Sequence, residues 1–242
     1  MYRFLLIAVL LLACTPQARA KSDPLSYCLA NAWPQMPDGT VLGQVGGMGV
    51  SGDGTVYVYH RGEKNWGGGG RLWSRIQNFV RRYMEAPDTT QSVQETAILG
   101  VHPETGALLS AIGADIFLIP HGLAVDGDDN LWLTDVGRHQ VIKMSRNGDV
   151  LLVIGEKGVA GAGRGQFNKP TDVAVAPDGS FYVADGYGNA RVVKFSSSGE
   201  YLFEWGGRGS APGQFDTPHG IAIDAEQNIY VADRGNARLQ GF

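Results

Sequence analysis

Pro-His-Gly occurs twice in this chain, each time just ahead of a strand-like run: "IPHGLAVDGDDNLWLTD" from Ile119 and "TPHGIAIDAEQNIYVAD" from Thr217. A third run of the same form, "KPTDVAVAPDGSFYVAD" from Lys169, has Thr171 in the histidine slot. Imidazole ligates metals as the neutral ring and shuttles protons near neutral pH. A histidine present in some copies and missing from another therefore points to chemistry. The competing reading is that both histidines are inherited repeat residues with a structural hydrogen-bonding role. A second polar set follows the second strand-like run of each unit. It comprises Tyr187 and Arg234, with Val136 in the unit from Ile119 and Arg61 in an earlier, divergent unit. Arginine grips carboxylates through two parallel N–H donors. Tyrosine serves as a general base where neighbouring cations favour its phenolate.

The elements that must carry these residues are short and repeated. Thr171 follows His121 by 50 residues and precedes His219 by 48. Its unit reads "TDVAVAP", "SFYVAD", "RVVKFSS" and "EYLFEWG", with the turn residues "DG", "GYGN" and "SSG" between them. Apolar and β-branched runs bounded by such turns predict four hairpin-connected strands. The linkers "GRGQFNKP" and "APGQFDTP" share Gly-Gln-Phe-x-x-Pro. The first unit is split: "GGMGVSGDGTVYVYHRG" supplies two strands and "AILGVHPETGALLSAIG" the other two, around an insertion at about 63–96. Within the insertion Leu72, Ile76, Phe79, Val80 and Tyr83 share one helical face. That pattern predicts a helix packed on the repeats or serving as a lid beside a site.

Four-stranded antiparallel units at this period are the blades of a β-propeller, here of NHL-repeat type, so the fold class is all-β. Units open near Gly46, His121, Thr171 and His219, giving about three and three-quarter blades where rings use roughly four to eight. A C-terminally incomplete propeller, spanning 43–242 after a lead-in at 21–42, is expected, with assembly with another chain as the alternative. In a blade the first strand lies innermost, so its start and the second turn share one end. His121, His219, Arg61, Tyr187 and Arg234 should therefore meet on one face around the axis. Imidazoles from alternate blades of a six-bladed ring, with a third from a later blade, would make a three-histidine zinc site with an open position. Thr171, in the blade between, is not called on as a ligand.

Composition narrows the partners. Glycine, at 35 residues, is about twice its usual share, as many tight turns require. Twenty basic against 24 acidic residues leave −4, which offers no pull toward nucleic acid or an anionic membrane. The start, "MYR" then "FLLIAVLLLA" and Ala18-Arg19-Ala20, reads as an export signal over 1–20 and is too short to span a bilayer; a buried first strand is the alternative. "LLAC" resembles a lipoprotein box that would tether the protein at Cys14, so it is expected to be secreted, periplasmic or a membrane-anchored lipoprotein. Cys28 is then the sole mature cysteine, which excludes an internal disulfide framework.

The segments "GQVGGMGVSGDGTVYVYHRG", "IPHGLAVDGDDNLWLTDVGRHQVIK", "FNKPTDVAVAPDGSFYVADGYGNARVVKFS" and "GQFDTPHGIAIDAEQNIYVADRGNARLQGF" together resemble the peptidyl-α-hydroxyglycine α-amidating lyases over about 43–62 and 97–242. The resemblance implies a six-bladed propeller with an axial zinc ion and cleavage of a peptide ending in α-hydroxyglycine to peptide amide and glyoxylate. It further implies His121 and His219 as zinc ligands and Tyr187 as base, with Arg61 and Arg234 in catalysis and substrate binding. Met48 and Leu123 would offer backbone carbonyls to a structural calcium. In the family a third histidine, in a "PHD"-type segment, and the calcium-binding aspartate after it lie past the last residue here, so the 242-residue chain alone is expected to be inactive. Gly188, Tyr230 and Gly241 stand where animal members carry disulfide cysteines. The hydroxylating partner enzyme would be a separate chain. Two other classes stay open: a non-catalytic NHL propeller binding a protein or other ligand, and a lactonase-like hydrolase with carboxylate ligands. For the latter, Asp172 is the one acid at a strand start.

Overall fold

A computed structural model describes residues 33–40, 42–64 and 91–242. The leader, Cys14, Cys28 and the expected helix of the insertion lie outside the described residues. Four antiparallel sheets follow one another in chain order. The first contains β1 (Val45–Val50), β2 (Val56–His60), β3 (Ile98–Val101) and β4 (Leu108–Ile112). The second contains β5 (Pro120–Val125), β6 (Leu131–Asp135), β7 (Gln140–Met144) and β8 (Val150–Ile154). The third contains β9 (Asp172–Val175), β10 (Phe181–Asp185), β11 (Arg191–Phe195) and β12 (Tyr201–Gly206). The fourth contains β13 (Pro218–Ile223), β14 (Ile229–Asp233) and β15 (Arg238–Gly241). Strand order within each sheet is sequence order, so every link inside a blade is a hairpin, widened between β2 and β3 by the insertion.

The period-two alternation of the strands explains why the sheets stack. On β6, Leu131 and Leu133 enter a core shared with Tyr57, Tyr59 and Phe117, while Trp132 between them enters the next core with Phe181 and Phe195. On β10, Phe181 and Val183 face that same core, and Tyr182 and Ala184 face the following one with Phe215 and Ile221. Each central blade is thus apolar on both faces, as a strand sandwiched between neighbours must be. The linker motif supplies Phe167 and Phe215, both fully buried, and Phe117 takes the same place ahead of Pro120. Burying such a ring contributes about 1.5–3 kcal/mol.

Along the axis the inner strands meet backbone to backbone. A Cβ on Gly47 would lie 2.4 Å from the Leu123 nitrogen, and one on Gly122 would lie 2.7 Å from the Thr171 carbonyl oxygen. Only glycine permits this approach.

A buried carboxylate closes the same end of each later blade. Asp135, Asp185 and Asp233 terminate the second strands with no exposed surface. Asp135 accepts the N–H groups of Leu118 (2.6 Å), Ile119, Gly137 and Arg138 (2.9 Å each). Asp185 accepts the Asn168 N–H at 2.9 Å and the Arg191 Nε–H at 3.1 Å; Asp233 accepts the Asp216 N–H at 2.7 Å and the Arg238 Nε–H at 3.0 Å. In the first blade His60 occupies this position, its Nδ1 accepting the Gly62 N–H at 3.1 Å, and burial pushes its imidazole below the usual histidine range. These bonds tie each second turn to the linker entering the blade. Replacing Asp135 with alanine would strand four N–H groups. It is expected to lower stability by about 3 kcal/mol in urea unfolding, and Asp135→Asn, which keeps one acceptor oxygen, by less.

Candidate active site

The histidine slots differ from the threonine slot in backbone geometry. Pairing of β5 with β6 shifts between Pro120 and Leu123, and pairing of β13 with β14 shifts between Pro218 and Gly220. His121 and His219 therefore sit at bulges, which re-aim a side chain out of the pleat. β9 pairs with β10 without a shift, and the Thr171 N–H stays in the ladder, donating to the Ala184 carbonyl at 2.8 Å.

The two imidazoles converge on one phenol. Tyr187 Oη lies 3.1 Å from His121 Nε2 and 3.0 Å from His219 Nε2, and the two imidazole centroids are 4.8 Å apart. Both rings meet the Tyr187 ring edge-on. Leu118, Ile119 and Val136 form an apolar wall against Tyr187. The Arg234 guanidinium stacks over its ring at 5.2 Å, with Nη1 3.4 Å from Oη. Arg61 Nε donates to the Pro120 carbonyl at 2.8 Å, beside His121, and Nη1 donates to Gln44 Oε1 at 3.2 Å. Every side chain assigned to catalysis or zinc in the sequence is thus gathered on one face. Met48 and Leu123 lie on the adjacent inner strands β1 and β5, where Gly47 abuts the Leu123 nitrogen.

The protonation pattern follows from these contacts. Burial and then the neighbouring His219 push the His121 imidazole down to about 3; its bond to Thr171 pulls upward, and Arg61 and Arg234 add smaller downward pushes. Burial, Arg234 and Arg61 push His219 down to about 4. Both rings are therefore neutral at neutral pH. His121 Nδ1 lies 2.7 Å from the Thr171 carbonyl oxygen, which only accepts, so Nδ1 carries the proton and Nε2 presents its lone pair. The His121 Nε2 lone pair faces Tyr187 Oη, and that oxygen is shared with the Nε2 of His219. Two neutral nitrogen donors crowded on one point, one with its tautomer set by a carbonyl, fit half of a zinc ligand set. Among the described residues no group of three or more His, Cys, Asp or Glu gathers for a metal.

Several contributors escape sequence reasoning. Gln44 steadies Arg61. Thr171 touches His121 through its main chain, which no side-chain motif reveals, and Thr134 Oγ1 donates to the same carbonyl at 3.0 Å. Asp172 spends its carboxylate on the N–H groups of Val173 and Ile221, 3.0 Å each, while burial raises it to about 6. At the insertion's ends Lys64 Nζ donates to the carbonyls of Gln91 and Leu118, so the excursion leaves and returns beside the apolar wall. Tyr230 and Gly241 are direct cross-strand partners, and a Cβ on Gly188 would fall 2.0 Å from the Asn168 side chain.

Comparison with known proteins agrees with this architecture. The NHL repeat model matches residues 117–144, 167–195 and 215–242. The chain is 39% identical over 184 residues to peptidyl-alpha-hydroxyglycine alpha-amidating lyase 1 of Drosophila melanogaster, covering 75% of this chain and 32% of that protein. It is 38% identical over 167 residues to peptidyl-glycine alpha-amidating monooxygenase B of Xenopus laevis, covering 68% of this chain and 18% of that protein. The chain thus spans less than half the length of these relatives. A solved protein of unknown function from Bacteroides thetaiotaomicron superposes with a TM-score of 0.55 at 15% identity, covering 82% of this chain and 47% of that one, which speaks to the fold alone.

Because the folded imidazole values lie below the ordinary 6.5, protonation favours the unfolded chain, and stability should fall as pH drops below about 6.5 toward 4. Histidine 15N shifts of metal-free protein are expected to show both rings uncharged down to about pH 5. A midpoint near the ordinary value for either ring would contradict the burial argument.

Proposed function

We propose, for a chain that is an NHL-repeat β-propeller homologous to the peptidyl-α-hydroxyglycine α-amidating lyases, that this site cleaves peptidyl-α-hydroxyglycine to a peptide amide and glyoxylate. The observation that carries the reading is Tyr187 Oη held between the Nε2 atoms of His121 and His219 at 3.1 and 3.0 Å, beneath Arg234.

The chemistry follows from the residue types. His121 and His219 would hold zinc, which when bound supplies a Lewis acid for the substrate hydroxyl. Tyr187 accepts the proton from that hydroxyl. The C–N bond breaks as the C=O bond of glyoxylate forms, and the proton passes to the departing amide nitrogen, so atoms and charge balance. Arg61 and Arg234 orient the substrate carboxylate, and the same positive charges favour an anionic substrate over a neutral one. The wall of Leu118, Ile119 and Val136 keeps water from one side of the phenol. Met48 and Leu123 would offer hard carbonyl oxygens to a structural calcium, for which their placement on neighbouring inner strands is the support.

The wider setting is part of the same proposal. The apolar run and Ala18-Arg19-Ala20 support export, with Cys14 as a lipid attachment point, and no described helix is long and apolar enough to cross a membrane. The substrate's hydroxylated glycine would come from a separate monooxygenase chain.

Zinc-loaded protein expressed from its natural coding sequence is expected to release glyoxylate from a hydroxyglycine-extended peptide. Tyr187→Phe should lower kcat by about 10²–10³, and Arg61→Ala should act mainly on KM. Absence of glyoxylate from the zinc-loaded protein would leave a ligand-binding propeller as the function.

A further inference from the structure

The blade that carries no histidine touches both blades that do. β5, β9 and β13 belong to three different sheets, so no strand ladder sets their relative positions at the axis. Four bonds from the opening of β9 do so instead. The Thr171 carbonyl accepts from His121 Nδ1 at 2.7 Å and from Thr134 Oγ1 at 3.0 Å, and Thr134 Oγ1 in turn accepts the Gly122 N–H at 2.7 Å. On the other side Thr171 Oγ1 lies 2.9 Å from the Pro218 carbonyl, the residue before His219. The Ile221 N–H, two residues after His219, donates to Asp172 Oδ2 at 3.0 Å.

We infer that Thr171 and Asp172 are positioning residues that clamp the two flanking imidazoles at a fixed separation, with His121 held in its Nδ1–H tautomer. The inference rests on the metal reading of His121 and His219. It also accounts for the threonine in the third repeat. A histidine there would need the bulge that the other slots have, whereas the regular backbone of β9 keeps the Thr171 peptide where its carbonyl meets His121. Thr171 has no exposed surface, and its one hydroxyl proton is shared between the Pro218 carbonyl at 2.9 Å and the Ala184 carbonyl of its own blade at 3.0 Å. Gly122 is part of the device: a Cβ there would lie 2.6 Å from Asp172 Oδ1 and 2.7 Å from the Thr171 oxygen. Serine at 171 would keep the hydroxyl and valine would delete it at nearly constant volume. Asparagine at 172 would keep an acceptor for the Ile221 N–H and alanine would not.

Two measurements on the protein expressed from its natural coding sequence test the clamp. Zinc affinity, read by competition with a chromophoric chelator, should weaken about tenfold or more in Thr171→Val and Asp172→Ala, as for outer residues that orient a metal ligand. Thr171→Ser and Asp172→Asn should stay within about twofold of the parent, separating lost hydrogen bonds from general damage. In metal-free protein the His121 Nδ1–H resonance should stay sharp in all four variants, which keep its Thr171 carbonyl partner, whereas the His219 ring signals should broaden in Thr171→Val and Asp172→Ala, whose lost bonds go to Pro218 and Ile221. Parent-like affinity and parent-like His219 ring signals in Thr171→Val and Asp172→Ala would overturn the clamp. A parent with the sharp resonance but no zinc binding, or zinc binding unchanged in His121→Ala, would instead overturn the metal reading.

Discussion

The approach of the inner strands to one another governs everything at the axis. Where β1 meets β5, and β5 meets β9, the backbones stand so close that a single Cβ at Gly47 or Gly122 would collide with main-chain atoms. Little room is left for side chains at those two glycines, and the site's functional groups come from strand openings and second turns. Close packing of this kind is stiff, since interiors at crystal-like density transmit displacement instead of absorbing it. A bulge at the opening then becomes an aiming device, and the two histidines stand on two of the bulges.

Polarity at the site is built from the opposite tendency, the cost of burying a group that has no partner. Asp135, Asp185 and Asp233 are wholly buried and repay their desolvation with main-chain and arginine donors. Because the donors come from the incoming linkers, from Asn189 and Asn236 in the second turns and from the first residues of the third strands, satisfying the carboxylates also sets the turns from which Tyr187 and Arg234 project. The imidazoles are treated differently. Burial first, and then the nearby Arg61 and Arg234, keep them uncharged, which is the state a metal ligand requires. The cations that suppress imidazolium are the same ones that would welcome a carboxylate, so one arrangement serves both needs.

Much of this is legible in the residue order. Alternation along "LWLTD" and "SFYVAD" marks strands with two apolar faces, and the observed β6 and β10 bury both. The spacing of the Pro-His-Gly segments places His121 and His219 at equivalent points of neighbouring but one blades. The second-turn residues Arg61, Tyr187 and Arg234 join them because strand polarity alternates in a meander. Gln44, Thr134 and the carbonyl of Thr171 were not legible. A main-chain acceptor has no residue signature, and an ordinary Thr inside a strand reads as a β-former.

By itself, then, the sequence determined the repeat, the strand pattern and the chemical types delivered to one face, since all three depend on local periodicity and turn chemistry. Tertiary structure alone decided which atoms meet there: that one phenol oxygen lies between two Nε2 atoms, that a neighbouring blade's carbonyl chooses the tautomer of His121, and that burial keeps both rings neutral. Those outcomes depend on distances between residues far apart in the chain and on how much water the packed blades exclude, and neither quantity is written in local pattern.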